Sequence, residues 1–451
     1  VSLAGLRARV RGTVLEPGDT GFTEGSRPFN SRYADVIPAA VLSVASVEDV
    51  AAGITWAREN SVPLVARGGG HSYSGASVTA GGLVLDLRRL DSVSVDADSG
   101  LVTAGGGARM KALYAGVQPH DLVFSLGNSD EVSIAGLTLG GGVAAVSRGY
   151  GLTCDALLST DVVLADGTTV TCSADVNPDL FWACQGGGGG NFGVNTSFTF
   201  QAQAVRPSAT CLLLWEWSHA TEVVMCMQEV QRDAPDGLSV RIGLSRAPDG
   251  PPMVSVVGWH LGSAEELRSL LAPALAVARP FRADIADRTF WEAKEYVQHE
   301  TAGGSFAGRT RTTPVPLSEA GVRTLVAAVD KWPGSRNPDG AGAALFGWGG
   351  AINRVPVEAT AFPHRNTLFL VSLDTSWAVD DGPEVMRDNL DWIGALYEDM
   401  GEYASGASYL NFTDPELADW RTAYHGPNLA RLVEVKRRYD PDRFFRSHQA
   451  L

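Results

Sequence analysis

Lysine is scarce in this chain: only four of its 36 basic residues are lysine, at positions 111, 294, 331 and 436. With 51 acidic residues the formal charge is −15, and no basic run of useful length occurs, which argues against nucleic acid as a partner. Uninterrupted apolar stretches are short. None approaches the roughly 18 to 20 residues a membrane-spanning helix needs, so a soluble protein is expected. The start, VSLAGLRARVRG, has neither Met nor an apolar signal core, as in a chain trimmed or processed, whether cytoplasmic or secreted after loss of a signal. Cysteines number five, at 154, 172, 184, 211 and 226. The count is odd and no CxxC or Cys/His spacing appears, so mostly free buried thiols are expected and a zinc site is not. There is no HExxH, and no Gly-Lys pair, which excludes a Walker A loop. The nearest approach to a GxSxG elbow, GGSFA (303–307), lacks the final glycine.

What the chain does have is glycine: 51 in 451 residues, about 11% against a usual share near 7%. Its hydrophobic fraction, 45%, supports a sizeable core. Three glycine clusters stand out: RGGGH (67–71), GLTLGGG (136–142) and QGGGGGNFG (185–193). Any one could be a ligand-free turn. Three of them beside strand signals favour a nucleotide cofactor whose phosphates meet backbone N–H groups. RGGGHSYSG lacks the GxGxxG spacing, so a Rossmann site is disfavoured.

Periodicity divides the chain. Residues 1–204 alternate strand and helix signals. They include a helix capped at Ser46 with Asp49 in the capping-box position, and strands at 62–65, 83–87, 93–96 and 101–105. Residues 205–395 carry longer alternating stretches (212–217, 238–244, 253–259, 367–373) between helical runs near 264–278, 317–332 and 382–397. That pattern predicts an antiparallel sheet with helices, able to cover a site. Eight of the eleven tryptophans fall there, as core or as an aromatic binding wall. The tail, 396–451, reads as a short strand YLNF (409–412), which would put Tyr409 and Asn411 on one face, followed by a helix ending at Asp440-Pro441.

The blocks RGGGHSYSG, GLTLGGGVAAVSRGYGLTCD, LADGTTV, NPDLFWACQGGGGGNFGV and YLNF…GPNLARLVEVKRRYDPDRFF occur in an order that resembles the berberine-bridge-enzyme-like FAD-linked oxidases of the vanillyl-alcohol oxidase superfamily. The resemblance implies an α+β fold: a PCMH-type FAD-binding domain of two α/β subdomains (1–204), an inserted substrate domain (205–395) and a C-terminal return to the FAD domain (396–451). It implies FAD bonded through its 8α position to His71. Ser129 stands where many members have a second, cysteinyl anchor, so a single bond is expected, Cys154 belonging to a different block. The cofactor-binding set it implies is Arg67, Gly68, Gly69, Gly70, His71, Ser72, Gly75, Gly127, Asn128, Ser129, Val132, Gly136, Thr138, Gly141, Gly142, Gly193, Val194 and Asn411, with Thr138 at the edge where dioxygen reacts. Tyr409 is the implied catalytic base and Tyr73 a second cavity tyrosine. A phenol with its ordinary pKa of about 10 needs help to act as base, and Arg354, His364 and Arg365 are candidate sources of positive charge. The implied reaction is hydride transfer from a C–H beside a hydroxyl, on a natural product or sugar, to flavin N5, then reduction of dioxygen to hydrogen peroxide. Oxidative cyclisation or monooxygenation on the same scaffold, and a non-catalytic FAD- or small-molecule-binding protein, are the alternatives.

Overall fold

The computed structural model describes residues 2–298 and 301–451. Its first part contains two large sheets and a two-stranded ribbon, Leu122–Val123 with Gln203–Ala204. A four-stranded sheet runs Thr13–Leu15, Ala40–Ser43, Leu83–Asp86, Leu64–Arg67, antiparallel at the first pair and parallel thereafter. The helix Val47–Glu59 packs on it through Val50, Ile54 and Ala57. Ser46 is its N-cap residue, but its hydroxyl makes no capping bond; Asp49 instead takes the N–H groups of Ala45, Arg11 and Gly12. A five-stranded antiparallel sheet follows, in the order Val93–Asp96, Leu101–Gly105, Val194–Gln201, Leu157–Val163, Thr169–Ser173.

The third sheet is the lid of the molecule. Seven antiparallel strands lie in the order Arg282–Arg288, Ser208–Glu216, Met253–His260, Leu238–Arg246, Ala341–Gly347, Phe369–Trp377, Ser305–Thr313. In Leu238–Arg246 the alternation of a half-buried strand is explicit. Leu238, Val240, Ile242 and Leu244 enter the main core under the helices Ala220–Asp233 and Glu319–Asp330. Ser239, Arg241, Gly243 and Ser245 face the other way, into a cavity. The same phase on neighbouring strands gives that face Ser255, Val257, Gly342, Ala344, Phe346, Ser372 and Asp374. Most of these side chains are small, which leaves room beneath the sheet.

Arg148 joins lid to base. It is buried, and its guanidinium donates to the carbonyls of Leu238 (2.6 Å), Trp348, Ala234 and Pro235. The tail closes the other side. Lys436, in the helix Leu429–Tyr439, is buried and donates to the carbonyls of Asn191 (2.5 Å) and Phe445 (2.9 Å) and to Asp440 (2.8 Å). The final amide, Leu451 N–H, donates to Asn191 Oδ1 at 3.1 Å. Among the described residues, no helix is long and apolar enough to cross a membrane, and no group of three or more metal-ligating side chains occurs. All five cysteines are free.

One local expectation is corrected. YLNF (409–412) is a tight turn rather than a strand, closed by the Phe412 N–H donating to the Tyr409 carbonyl at 3.0 Å. Tyr409 and Asn411 still meet, the Asn411 Nδ2 donating to the Tyr409 hydroxyl at 3.1 Å, but Leu410 and Phe412 are not set on an opposite face, and all four residues border the cavity.

Candidate active site

The cavity measures about 1310 Å³. Small-molecule sites typically run about 300–1,000 Å³, so there is space here for an extended ligand and a second one. The floor comes from the expected residues: Gly68, Gly69, Gly70, His71, Ser72, Gly127, Asn128, Ser129, Val132, Gly136, Gly193, Val194 and Asn411 all border it, as do Tyr73 and Tyr409. The glycines have separate reasons. A Cβ on Gly68 would lie 2.0 Å from Ser133 Oγ, so the 67–71 loop can approach its neighbour only as glycine. A Cβ on Gly136 would meet nothing, so glycine there keeps the space open.

Polar groups on this floor lack protein partners. The N–H groups of Gly69, Gly70, His71 and Ser72 make no hydrogen bond among the described residues, and Ser77 Oγ is buried without a partner. Successive free N–H groups form an anion-binding concavity. This donor set fits the diphosphate of FAD, and the His71 side chain projects from the same loop. The His71 ring stacks on Phe29 with centroids 4.2 Å apart. Burial, with the charges of Arg109 and Arg67, pushes its pKa down to about 4. At neutral pH it is the uncharged imidazole, with a lone pair available.

Five expected residues support the wall without bordering the cavity. Arg67 is buried and braces the loop by donating to the carbonyls of Gly25 (2.7 Å) and Arg27. Gly75, with φ +70°, lies against the Tyr33 ring; Gly141 (φ +114°) lies against Phe362 and Gly142 (φ +85°) against Thr153. Thr138 is fully buried and donates its hydroxyl to the Ile134 carbonyl at 2.8 Å. The phase of the helix Ile134–Leu139 turns Thr138 inward while its neighbours Leu137 and Leu139 border the cavity. Thr138 itself therefore does not border the cavity.

Tyr409 sits at the centre of the floor. Its oxygen accepts from Gly142 N–H (3.1 Å), Val143 N–H (3.0 Å) and Asn411 Nδ2 (3.1 Å). Three donors favour the phenolate, but burial outweighs them and pushes the pKa up to about 12. The expected cations do not help. Arg354 is on the surface paired with Asp236, Arg365 is buried against Asp155, and burial holds His364 neutral with a pKa lowered to about 4.

Sequence reasoning missed the ceiling. Asp374 borders the cavity, accepts from Ser372 Oγ at 2.8 Å, and is pushed up to about 6 by burial, against the opposing pull of Ser372 and Arg241. Tyr73 lies beside it: a Cβ on Gly308 would come 3.0 Å from Asp374 Oδ1 and 3.2 Å from the Tyr73 ring. Tyr73 in turn stacks on Phe412 (5.1 Å between centroids) and meets Phe306 edge-on (4.9 Å). The only sequence signal for this ceiling was an acid and an arginine at single positions in otherwise alternating strands.

A glycine-walled trough with free N–H donors, roofed by a sheet of small side chains, is shaped to hold an anionic cofactor beside a second ligand. Residues 38–173 match the FAD binding domain family, and residues 408–451 match the family described as berberine and berberine like. The chain is 32% identical over 460 residues to the uncharacterised FAD-linked oxidoreductase YgaK of Bacillus subtilis, covering 99% of this chain and 98% of that one. BBE-like 1 of Physcomitrella patens superposes with a TM-score of 0.90 at 26% identity, over 100% of this chain and 99% of that one. The glucooligosaccharide oxidase of Acremonium strictum, described with a 6-S-cysteinyl, 8α-N1-histidyl FAD, superposes with a TM-score of 0.87 at 26% identity, over 99% and 98%. The chain belongs to the berberine-bridge-enzyme-like family of FAD-linked oxidoreductases.

Proposed function

We propose that the protein is an oxidase that converts a carbon bearing a hydroxyl, on a natural product or sugar, to the carbonyl, with dioxygen reduced to hydrogen peroxide. FAD, when bound, supplies the two-electron acceptor and returns the electrons to dioxygen. His71 is the single covalent tether in this reading. Its side chain borders the trough and is uncharged at neutral pH, Ser129 occupies the position of a second anchor, and Cys154 is buried away from the cavity.

The observation that carries the reaction is Asp374. A proton acceptor works best with a pKa near the operating pH, and Asp374, near 6 and facing the cavity, fits that requirement. It takes the proton of the substrate hydroxyl as the carbon gives up its hydride. Tyr73 and Phe412 hold the substrate beside it by apolar contact. Tyr409, expected from the resemblance to be the base, is the second reading, favoured by its three N–H donors. Here it is assigned to holding the glycine turn and Asn411 in place.

Anaerobic flavin reduction separates the two, using any alcohol that gives peroxide in an aerobic screen. Asp374→Asn is expected to slow reduction by about 10²- to 10⁴-fold, and Tyr409→Phe by far less. The reverse ordering would return the role to Tyr409. Product mass tests the reaction class: loss of two hydrogens marks an oxidase, gain of one oxygen a monooxygenase.

A further inference from the structure

Arg241 stands in the middle of the strand Leu238–Arg246, on the face that looks into the cavity. Its cross-strand partners are Val257 and Phe346, both apolar, and among the described residues it makes no hydrogen bond and no ion pair. The other arginine on this strand, Arg246, is engaged by the Asp330 carbonyl at 2.7 Å. A guanidinium presents five N–H donors in a planar fork and stays charged in proteins. None of those donors has a protein partner on this face, and a ligand that closed over the guanidinium without pairing it would bear a desolvation cost.

We propose that Arg241 is the anchor for a carboxylate on the substrate, an assignment that deepens the oxidase reading and rests on it. Gly243, Ser255 and Ala344, the small residues around Arg241, leave the fork accessible from the groove. Planar bidentate pairing with a carboxylate is what the fork is shaped for. Asp374 is not that partner, since no ion pair joins the two. Register puts Arg241 opposite Phe346 and Phe346 opposite Leu370, while Asp374 lies four residues beyond Leu370 on the same strand. Two strand spacings across and four residues along separate the two Cα atoms by roughly 16 Å. The side chain of Arg241 spans part of that distance, since its charge still pulls on Asp374, so the carboxylate would sit several bonds from the carbon being oxidised rather than on the adjacent one. Between them runs an aromatic wall, Phe346, Phe412 and Tyr73, suited to a ring.

The test uses purified holoenzyme and two probe pairs: benzoate with methyl benzoate for binding, and 4-(hydroxymethyl)benzoate with its methyl ester for turnover. Binding is read from the perturbation of the flavin spectrum. Wild type is expected to bind benzoate at least tenfold more tightly than the ester. Arg241→Gln should weaken benzoate by about 10- to 100-fold, as for loss of a charge-assisted pair, with ester binding unchanged; Arg241→Lys should restore part. Equal binding of acid and ester by wild type, or undiminished benzoate binding by Arg241→Gln, would overturn the anchor, and the wild-type comparison stands even if that variant does not fold. Arg241-dependent benzoate binding with no alcohol able to reduce the flavin would retain the anchor and reject the oxidase. Peroxide release from neutral alcohols without acid preference would do the reverse.

Discussion

Asp374 sets two properties against each other. Burial raises its pKa from 3.8 to about 6, with Ser372 and Arg241 pulling the other way and Tyr73 alongside. An acid raised in the folded state contributes stability that is full below its unfolded pKa and is lost as pH rises through the folded one. Wild type should therefore lose stability between about pH 4 and pH 6 through this group. Over the same interval flavin reduction should gain rate as the carboxylate forms. Asp374→Asn should remove both: thermal melts across that range flatten, while the enzyme is slow throughout. Tyr409 gives a contrasting case. Phenylalanine there keeps the ring but leaves the Gly142 and Val143 N–H groups buried without an acceptor. The expected cost is about 1–3 kcal/mol per group, read by denaturant unfolding of the purified variant.

Among the elements, those whose sequence pattern matched one physical signal were legible and those shaped by tertiary contact were not. The helix Val47–Glu59 and the strands of the lid follow from period alone. The tight turn at 409–412 does not: YLNF has strand-forming side chains, and the ring of Tyr409 is buried only because the 140–142 glycines receive it. The floor of the site was readable because glycine loops are written contiguously. The ceiling was not, since Arg241 and Asp374 meet the cavity through register between strands more than 100 residues apart. The tail helix belongs at this scale too. Lys436→Met would strand Asp440 in the interior and take the donor from two carbonyls. Breaking a buried pair from one side costs about 3–5 kcal/mol, measurable as a lowered unfolding midpoint accompanied by loss of bound FAD.

At the scale of the whole molecule, one buried arginine ties the lid to the base. Arg148 reaches from the glycine-rich base to four carbonyls of the lid region. Lysine keeps the charge but lacks the planar fork. Arg148→Lys should leave some of these carbonyls unpaired, at about 1–3 kcal/mol each. Amide exchange should then rise at residues 234–238 and near 348, while the four-stranded sheet keeps its protection. An unaltered exchange pattern would mean that apolar packing, not this arginine, seats the lid.

The Lys436 knot also carries a consequence in time. A growing chain emerges from its N-terminus, so the His71 loop, both base sheets and the entire lid exist before residue 436 is made. Until then the loop carrying Asn191 has no clamp and one wall of the trough is missing. Cofactor capture is therefore expected only at the end of synthesis, and a chain truncated before residue 436 should retain no FAD when purified.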